Sequence, residues 1–341
     1  MSKTVDIAIL GATGAVGQTM LKVLHERGFP AGRVVPLASA RSAGSTVRFG
    51  EQELTVECVD DFDFSTVQLG LFSAGGSVSA KWAPVAAEAG CIVVDNTSHF
   101  RYEDDIPLVV PEVNPDAVEG YRTRNIIANP NCSTIQMLVA LKPLHDAAGI
   151  TRINVATYQA VSGTGKEAID EMAAQTAADA RGEAPVAEVY PKTIVGNALP
   201  HIDVFQDNGY TKEEMKMVWE TQKIFGDKGI RVNPTCVRVP VVYGHSEAVH
   251  IETRDKLTAQ RARELLEAAP GVKVLDTRSD GGYPTAREEA AGNDWTWVGR
   301  IREDISHDHG LNLWVVSDNV RKGAASNSVQ IAQLLKERGY I

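Results

Sequence analysis

The chain of 341 residues lacks several features, and each absence removes a class of function. Its four cysteines, Cys58, Cys91, Cys132 and Cys236, lie far apart with no C-x-x-C pair. That argues against a zinc site and against a disulfide framework, and it fits a reducing cytoplasm. No metal is expected. Basic residues number 34 against 44 acidic ones and form no block, so nucleic acid is not an expected partner. No apolar run approaches the length that spans a bilayer, and the residues before Val5 carry no secretory h-region. Neither membrane nor export is expected. There is no internal repeat and no low-complexity tract. What remains is a cytoplasmic chain long enough for two domains, each with a sizeable core.

The run Val5–Leu10 reads as a parallel strand. Gly11-Ala12-Thr13-Gly14-Ala15-Val16-Gly17 follows at once, and an amphipathic helix is expected over 18–26. Strand, glycine turn and helix in that order point to a dinucleotide site. The glycines let the backbone approach a pyrophosphate, which the N–H groups at the helix start hold. The spacing is G-x-x-G-x-x-G rather than G-x-G-x-x-G, and glycine turns also join strands to helices with no ligand at all. The second strand, 33–39, runs into Ser39-Ala40-Arg41-Ser42, where the carboxylate that would hold the 2′-OH of NAD is missing. Arg41 and Ser42 suit a 2′-phosphate, hence NADP; a solvated loop charge is the alternative for Arg41.

Short apolar runs at 69–72 and 91–95, with an alanine-rich helix at 77–89 between them, predict a doubly wound parallel sheet. Ligands bind at the carboxyl edge of such sheets. Arg101 falls among loop residues there and either clamps an anion or lies on the surface. A buried strand at 125–128 then leads into Asn129-Pro130-Asn131-Cys132-Ser133-Thr134, and a helix is expected over 135–144. A cysteine at a strand-to-helix junction stands beside unpaired helix N–H groups and the positive end of the helix dipole. Both favour thiolate over thiol. Cys132 is therefore read as a nucleophile, against the alternative of a small buried apolar side chain.

Beyond residue 134 the pattern changes. Strands are expected at 153–160, 235–243, 248–253, 295–301 and 311–317, and helices at 166–180, 212–225 and 258–268. Together they predict an α+β domain with a mixed or antiparallel sheet. A final helix, 324–338, returns to the first domain, and the weakly patterned stretch 182–207 reads as an insertion or interface arm. Arg238 sits in an apolar strand that ends in Gly244-His245-Ser246. A buried strand does not carry an arginine without a partner, which a small anionic substrate would supply. His245 at the strand exit is either an acid/base group or a capped structural histidine. Ser162-Gly163-Thr164-Gly165-Lys166 is a second glycine turn opening a helix. Glu213 and Lys216 share a helix face and form either a zwitterion-binding pair or an ordinary surface pair.

These motifs, with Thr157-Tyr158-Gln159-Ala160-Val161-Ser162-Gly163, Arg238-Val239-Pro240-Val241 and Ser317-Asp318-Asn319-Val320-Arg321-Lys322-Gly323-Ala324-Ala325, resemble those of the aspartate-semialdehyde dehydrogenases. They occur in that family's order over nearly the whole chain. The resemblance implies a Rossmann-type NADP-binding domain, 1–133 completed by 320–341. It also implies an α+β catalytic and dimerisation domain, 134–319, as in glyceraldehyde-phosphate dehydrogenase. The implied reaction is reversible NADPH-dependent reductive dephosphorylation of L-4-aspartyl phosphate to L-aspartate 4-semialdehyde and phosphate, through an acyl-thioester on Cys132. The implied setting is lysine (through diaminopimelate), methionine, threonine and isoleucine biosynthesis, in a homodimer.

Carried over by position, Cys132 matches the nucleophile, His245 the acid/base and Gln159 the residue orienting the acyl group. Arg238 matches the substrate carboxylate clamp and Glu213 the contact to the substrate amine. Arg101, Asn131 and Lys216 match the phosphate site. Gly11, Thr13, Gly14, Ala15, Val16, Arg41, Ser42, Ser162, Gly163 and Asn319 match cofactor contacts. The rival readings are an N-acetyl-glutamyl-phosphate reductase, a catalytically silent NADP-binding protein and a cofactor-free cysteine hydrolase.

Overall fold

A computed structural model describes residues 4–341 and shows two compact units. One runs to Asn131 and resumes as Ala324–Ile341; the other is Cys132–Gly323. The expected joins, 133/134 and 319/320, stand a few residues from these.

The first unit contains β1 (Val5–Leu10), α1 (Ala15–Glu26), β2 (Ala31–Ala38), a hairpin of β3 (Thr46–Phe49) and β4 (Gln52–Thr55), then β5 (Glu57–Cys58), β6 (Leu69–Phe72), α2 (Gly76–Glu88), β7 (Ile92–Asp95) and β8 (Ile126–Ala128). Six of these strands form one sheet, ordered β5-β2-β1-β6-β7-β8, with every pair parallel. A parallel sheet is covered on both faces, so its strands read as continuous apolar runs rather than alternating ones. Accordingly β6 and β7 are buried at every residue. The strand order reverses direction at β1, between β2 and β6, and the glycine turn leaves β1 at that switch point. The C-terminal helix Ser326–Glu337 packs against α1, and Val329, Ile331 and Leu335 join the core of Ile7, Ile9, Leu21 and Leu24. The hairpin β3–β4 was not expected. Only Val47 of its eight residues is buried, so it carries almost no apolar period to read.

The second unit contains α3 (Cys132–Ala148), β9 (Ile150–Gln159), α4 (Lys166–Ala180), α5 (Lys212–Phe225), β10 (Arg231–Arg238), β11 (His245–Thr253), α6 (Ala259–Glu267), β12 (Val272–Val274), β13 (Thr296–Glu303) and β14 (Gly310–Ser317). Its sheet runs β10-β9-β11-β14-β13-β12. The three central pairs are antiparallel and the two outer pairs parallel, a mixed sheet. Helix α3 lies against this sheet and against α5 and α6, which explains why it is buried continuously from Ser133 to Leu141. No regular element forms in 182–207; Leu199 exchanges two backbone hydrogen bonds of 2.8 Å with Arg238.

One expectation is corrected. The apolar run 235–243 is not a single strand: β10 stops at Arg238, and His245 opens β11 instead of closing β10. Pro240 has no N–H to continue a ladder. The chain folds back there, with the Val241 N–H donating to the Val239 carbonyl at 2.8 Å. Among the described residues no helix is long and apolar enough to cross a membrane.

Candidate active site

In the first unit, α1 begins with Gly14 as its N-cap, so no side chain satisfies its opening N–H groups. The turn itself demands two of its glycines. Gly11 has φ +89°, and a Cβ there would stand 2.9 Å from the Ala74 nitrogen. A Cβ on Gly17 would come within 2.2 Å of the Gly11 carbonyl oxygen, whereas one on Gly14 would have 3.4 Å of clearance. Thr13, Gly14, Ala15 and Val16 stay partly or fully exposed around this uncapped helix start, which suits a pyrophosphate. In the turn after β2, Arg41 is exposed and Ser42 half-buried. Arg41 makes no side-chain hydrogen bond or ion pair with the described residues, and no carboxylate stands among Ser39-Ala40-Arg41-Ser42.

Arg101, by contrast, is buried, and its Nη2 donates to the Asn96 carbonyl at 3.0 Å. Its charge also acts on Asp95, whose carboxyl burial pushes above the usual range despite bonds from Ser79 and Thr97. A chain of amides fixes the approach to Asn131, itself buried. Asn327 donates to Asn129 and Asn129 to Asn96, each at 2.7 Å.

In the second unit Cys132 is the first residue of α3 and is half-buried. Cys236 in this unit and Cys91 in the first are buried instead: burial pushes Cys91 up to about 12 and Cys236 well above its ordinary value. His245 is fully buried, and its Nδ1 accepts the Ala160 N–H at 3.0 Å. A neutral imidazole whose Nδ1 accepts must carry its proton on Nε2, and that atom has no partner among the described residues. Burial first, then the charge of Arg238, push the His245 pKa down to about 3, against a smaller opposing pull from Glu213. The imidazole is therefore neutral at pH 7.

The same residue that fixes the histidine also fixes the arginine. The Ala160 carbonyl accepts from Nη1 of Arg238 at 2.7 Å, while Nε of that buried guanidinium has no partner among the described residues. Gly163 lies beside both: a Cβ there would come within 3.0 Å of Arg238 Nη1 and 3.4 Å of His245 Nε2. Ser162 and Asn319 hold each other at 3.0 Å, and Asn319 also accepts the Gly244 N–H at 2.9 Å, which fastens the loop before β11.

At the end of β9, Gln159 donates at 3.2 Å both to Glu213 Oε1 and to Thr157 Oγ1. Lys216 Nζ then bridges Glu213 Oε2 at 2.9 Å and Asp203 Oδ2 at 2.8 Å. Burial works to lower the Lys216 pKa, but Glu213 and Asp203 outweigh it and raise it. The neighbouring Glu214 is committed elsewhere. It forms the capping box with Thr211 and accepts the Cys236 N–H, so Glu213 is the carboxylate that faces Gln159. Within this unit hydrogen bonds join Gln159, Glu213 and Lys216 in one chain. Arg238 and His245 meet at the backbone of Ala160, and Gly163 lies beside them.

Sequence reading missed three contributors. Asp203 lies in the irregular stretch 182–207 at φ +66°, and an acidic residue in a non-helical loop gives no periodic signal. Gly323 packs directly on Cys132. Gln136, one helical turn after Cys132, donates to the His245 carbonyl at 3.2 Å. Among the described residues no group of three or more His, Cys, Asp or Glu side chains is arranged to hold a metal ion.

Two family descriptions match the chain: "Semialdehyde dehydrogenase, NAD binding domain" over residues 6–121, and "Semialdehyde dehydrogenase, dimerisation domain" over 141–322. An aspartate-semialdehyde dehydrogenase of Shewanella violacea is 62% identical over 335 residues, 98% of each chain. That of Legionella pneumophila is 63% identical over 336 residues, 98% of this chain and 97% of the other. A crystal structure of aspartate semialdehyde dehydrogenase II from Vibrio cholerae, complexed with ASA, covers 100% of both chains at 60% identity and a TM-score of 0.97. An aspartate semialdehyde dehydrogenase from Candida albicans, solved with NADP, covers 99% of this chain and 100% of its own at 26% identity and a TM-score of 0.78.

Proposed function

This chain belongs to the aspartate-semialdehyde dehydrogenase family, and from that premise we propose how its residues perform the reaction. It is an oxidoreductase of amino-acid biosynthesis. It reversibly reduces L-4-aspartyl phosphate to L-aspartate 4-semialdehyde and phosphate with a nicotinamide cofactor. The observation that carries the residue assignment is the backbone of Ala160, whose N–H and C=O hold a neutral histidine and a partly unsatisfied arginine at adjoining positions.

Cys132 attacks the acyl carbon as a thiolate. The C–S bond forms, the bond to the phosphoryl oxygen breaks and phosphate leaves. When bound, the nicotinamide supplies a hydride that reduces the thioester carbon. The resulting oxyanion collapses, the C–S bond breaks and the Cys132 thiolate is restored. Throughout, His245 acts from its neutral Nε2–H as a donor to the developing oxyanion and the departing sulfur. The Ala160 N–H already occupies Nδ1, which disfavours the general-base half of the expected acid/base role.

Arg238 holds the substrate carboxylate and Glu213 its amine. Gln159, bonded to Glu213, orients the acyl group. Anchoring both ends of a short substrate in this way lowers the entropic barrier. Arg101, Asn131 and Lys216 receive the phosphate. Gly11, Thr13, Gly14, Ala15 and Val16 take the pyrophosphate of the cofactor, with Ser162, Gly163 and Asn319 as further contacts. Arg41 and Ser42 take a 2′-phosphate, so the cofactor is NADP. The first unit with the C-terminal helix is the NADP-binding domain and the second the catalytic and dimerisation domain of a cytoplasmic homodimer. The reaction serves lysine, methionine, threonine and isoleucine synthesis.

The test is phosphate-dependent reduction of NADP by the purified protein, with L-aspartate 4-semialdehyde against N-acetylglutamate semialdehyde. Turnover of the aspartyl substrate is expected; preference for the acetylated one would overturn the substrate assignment.

A further inference from the structure

Glu247 is fully buried, and among the described residues neither of its carboxyl oxygens meets a donor in good geometry. An ionised carboxylate does not persist in such a place; it is neutralised by taking up a proton. Burial accordingly pushes its carboxyl well above the usual range. Its neighbours across the sheet are uncharged. Across the sheet it faces Thr157 on β9 and Val315 on β14, and Cys236 follows Thr157 on β10.

Glu247 stands two residues after His245 on β11, so both side chains leave the same face of the sheet. Gln136 stands four residues after Cys132 on α3, so those two share a helix face. The Gln136 side chain lies within reach of the Glu247 carboxyl. Its Nε2 donates to the His245 carbonyl at 3.2 Å, and its Oε1 is buried without a donor. A carboxylic acid lacking an acceptor for its proton and an amide oxygen lacking a donor answer each other. An amide has two N–H groups, so it can pair with an acid along one edge and still give its second N–H elsewhere.

We propose that Glu247 is a positioning residue kept as a neutral carboxylic acid and paired with the Gln136 amide. Its O–H donates to Oε1 and its carbonyl receives one N–H. The second N–H, given to the His245 carbonyl, ties the start of β11 to the helix that begins at Cys132. This rests on the reading of Cys132 and His245 as reacting groups. A primary amide at position 247 can make the same two bonds, whereas an isosteric hydrocarbon cannot.

The experiment compares Glu247→Gln, Glu247→Leu, Gln136→Met and the Glu247→Leu/Gln136→Met double variant with wild type. It follows kcat, the KM for L-aspartate 4-semialdehyde and the infrared difference spectrum at pH 8. Glu247→Leu and Gln136→Met should each lower kcat roughly tenfold or more, because small misplacements of reacting groups act on the transition state, with KM little changed. The double variant should be no worse than the poorer single one. Glu247→Gln should keep at least about half of wild-type kcat. The wild-type minus Glu247→Gln spectrum should show the carbonyl stretch of a protonated carboxyl. A spectrum showing an ionised carboxylate, or Glu247→Gln as impaired as Glu247→Leu, overturns the proposal. So does a folded Glu247→Leu with wild-type kcat. If Glu247→Leu does not fold, the spectrum and Glu247→Gln decide. The spectrum is independent of activity, so an inactive Cys132 assignment would leave it untouched.

Discussion

A methyl group on Gly323 would stand 2.7 Å from the Cβ of Cys132 and 3.2 Å from its Cα. Position 323 therefore helps decide where the nucleophile sits, although glycine has no side chain to take part in chemistry. Gly323→Ala must move either the Arg321–Ala325 turn or Cys132 by several tenths of an ångström. The expected result is a kcat lowered roughly ten- to a hundredfold. Overpacking should also destabilise the fold by about 1–3 kcal/mol. Steady-state kinetics and thermal melts measure both; wild-type kcat in the variant would show that Cys132 tolerates displacement.

Cys132 is half-buried at a helix start, whereas Cys91 and Cys236 are buried and strongly disfavoured as thiolates. Iodoacetamide near neutral pH should alkylate Cys132 and spare Cys91 and Cys236, as peptide mass mapping would reveal. Cys132→Ser should lose several orders of magnitude in turnover, because the alcohol is far less ionised, while still binding the cofactor. Near-normal turnover in that variant would remove Cys132 from the mechanism.

His245 titrates at about 3 in the folded protein, below the roughly 6.5 of an unperturbed imidazole. The folded state thus binds fewer protons than the unfolded state between those values. Its contribution to stability is complete above about pH 6.5 and is lost as pH falls toward 3, with a slope of up to about 1.4 kcal/mol per pH unit. His245→Gln should flatten that part of the acid limb in urea midpoints measured against pH. In wild type, kcat/KM should show no inflection near pH 6.5 from this group. Parallel acid limbs in the two proteins would mean that His245 is not buried neutral.

Much of this was legible in advance, for identifiable reasons. Helices α4 and α5 begin and end at the expected residues, 166–180 and 212–225. Strand boundaries of the parallel sheet were legible because both faces are buried, which leaves short apolar runs between polar loops. From sequence Arg238 reads as a buried cation needing a partner, and the Ala160 carbonyl meets part of that need. What stayed hidden depends on long-range contact. The turn at Pro240 split an apolar run that local pattern joins, and Asp203 reaches Lys216 from a stretch with no period. The occupied Nδ1 of His245, set by a backbone N–H 85 positions away, leaves no trace in its neighbours.

Asp203 offers a test of that hidden contact. It and Glu213 together hold the Lys216 ammonium in one orientation. If Lys216 receives phosphate, Asp203→Ala should raise the KM for phosphate roughly three- to tenfold by loosening that cation, and should lower kcat less. A charge-assisted bond of about 1.5–3 kcal/mol is being removed, with Glu213 retaining the other. An unchanged KM for phosphate would make the Asp203–Lys216 pair purely structural.

Cofactor choice rests on the turn after β2. No carboxylate stands among Ser39-Ala40-Arg41-Ser42 to hold a ribose 2′-OH, and the Arg41 guanidinium is exposed and uncommitted among the described residues. A guanidinium pairs with a phosphate through two parallel bonds, each charge-assisted, and has no comparable partner in a hydroxyl. A contact of that kind is worth about 1.5–3 kcal/mol, or roughly ten- to a hundredfold in affinity. Wild type should therefore favour NADP over NAD, and Arg41→Ala should narrow that preference by weakening NADP while leaving NAD nearly unchanged. Values of kcat/KM for both cofactors in both proteins decide it. Equal losses for NADP and NAD would mean that Arg41 supports the turn rather than reading the 2′-phosphate, and an undiminished preference would move the recognition elsewhere.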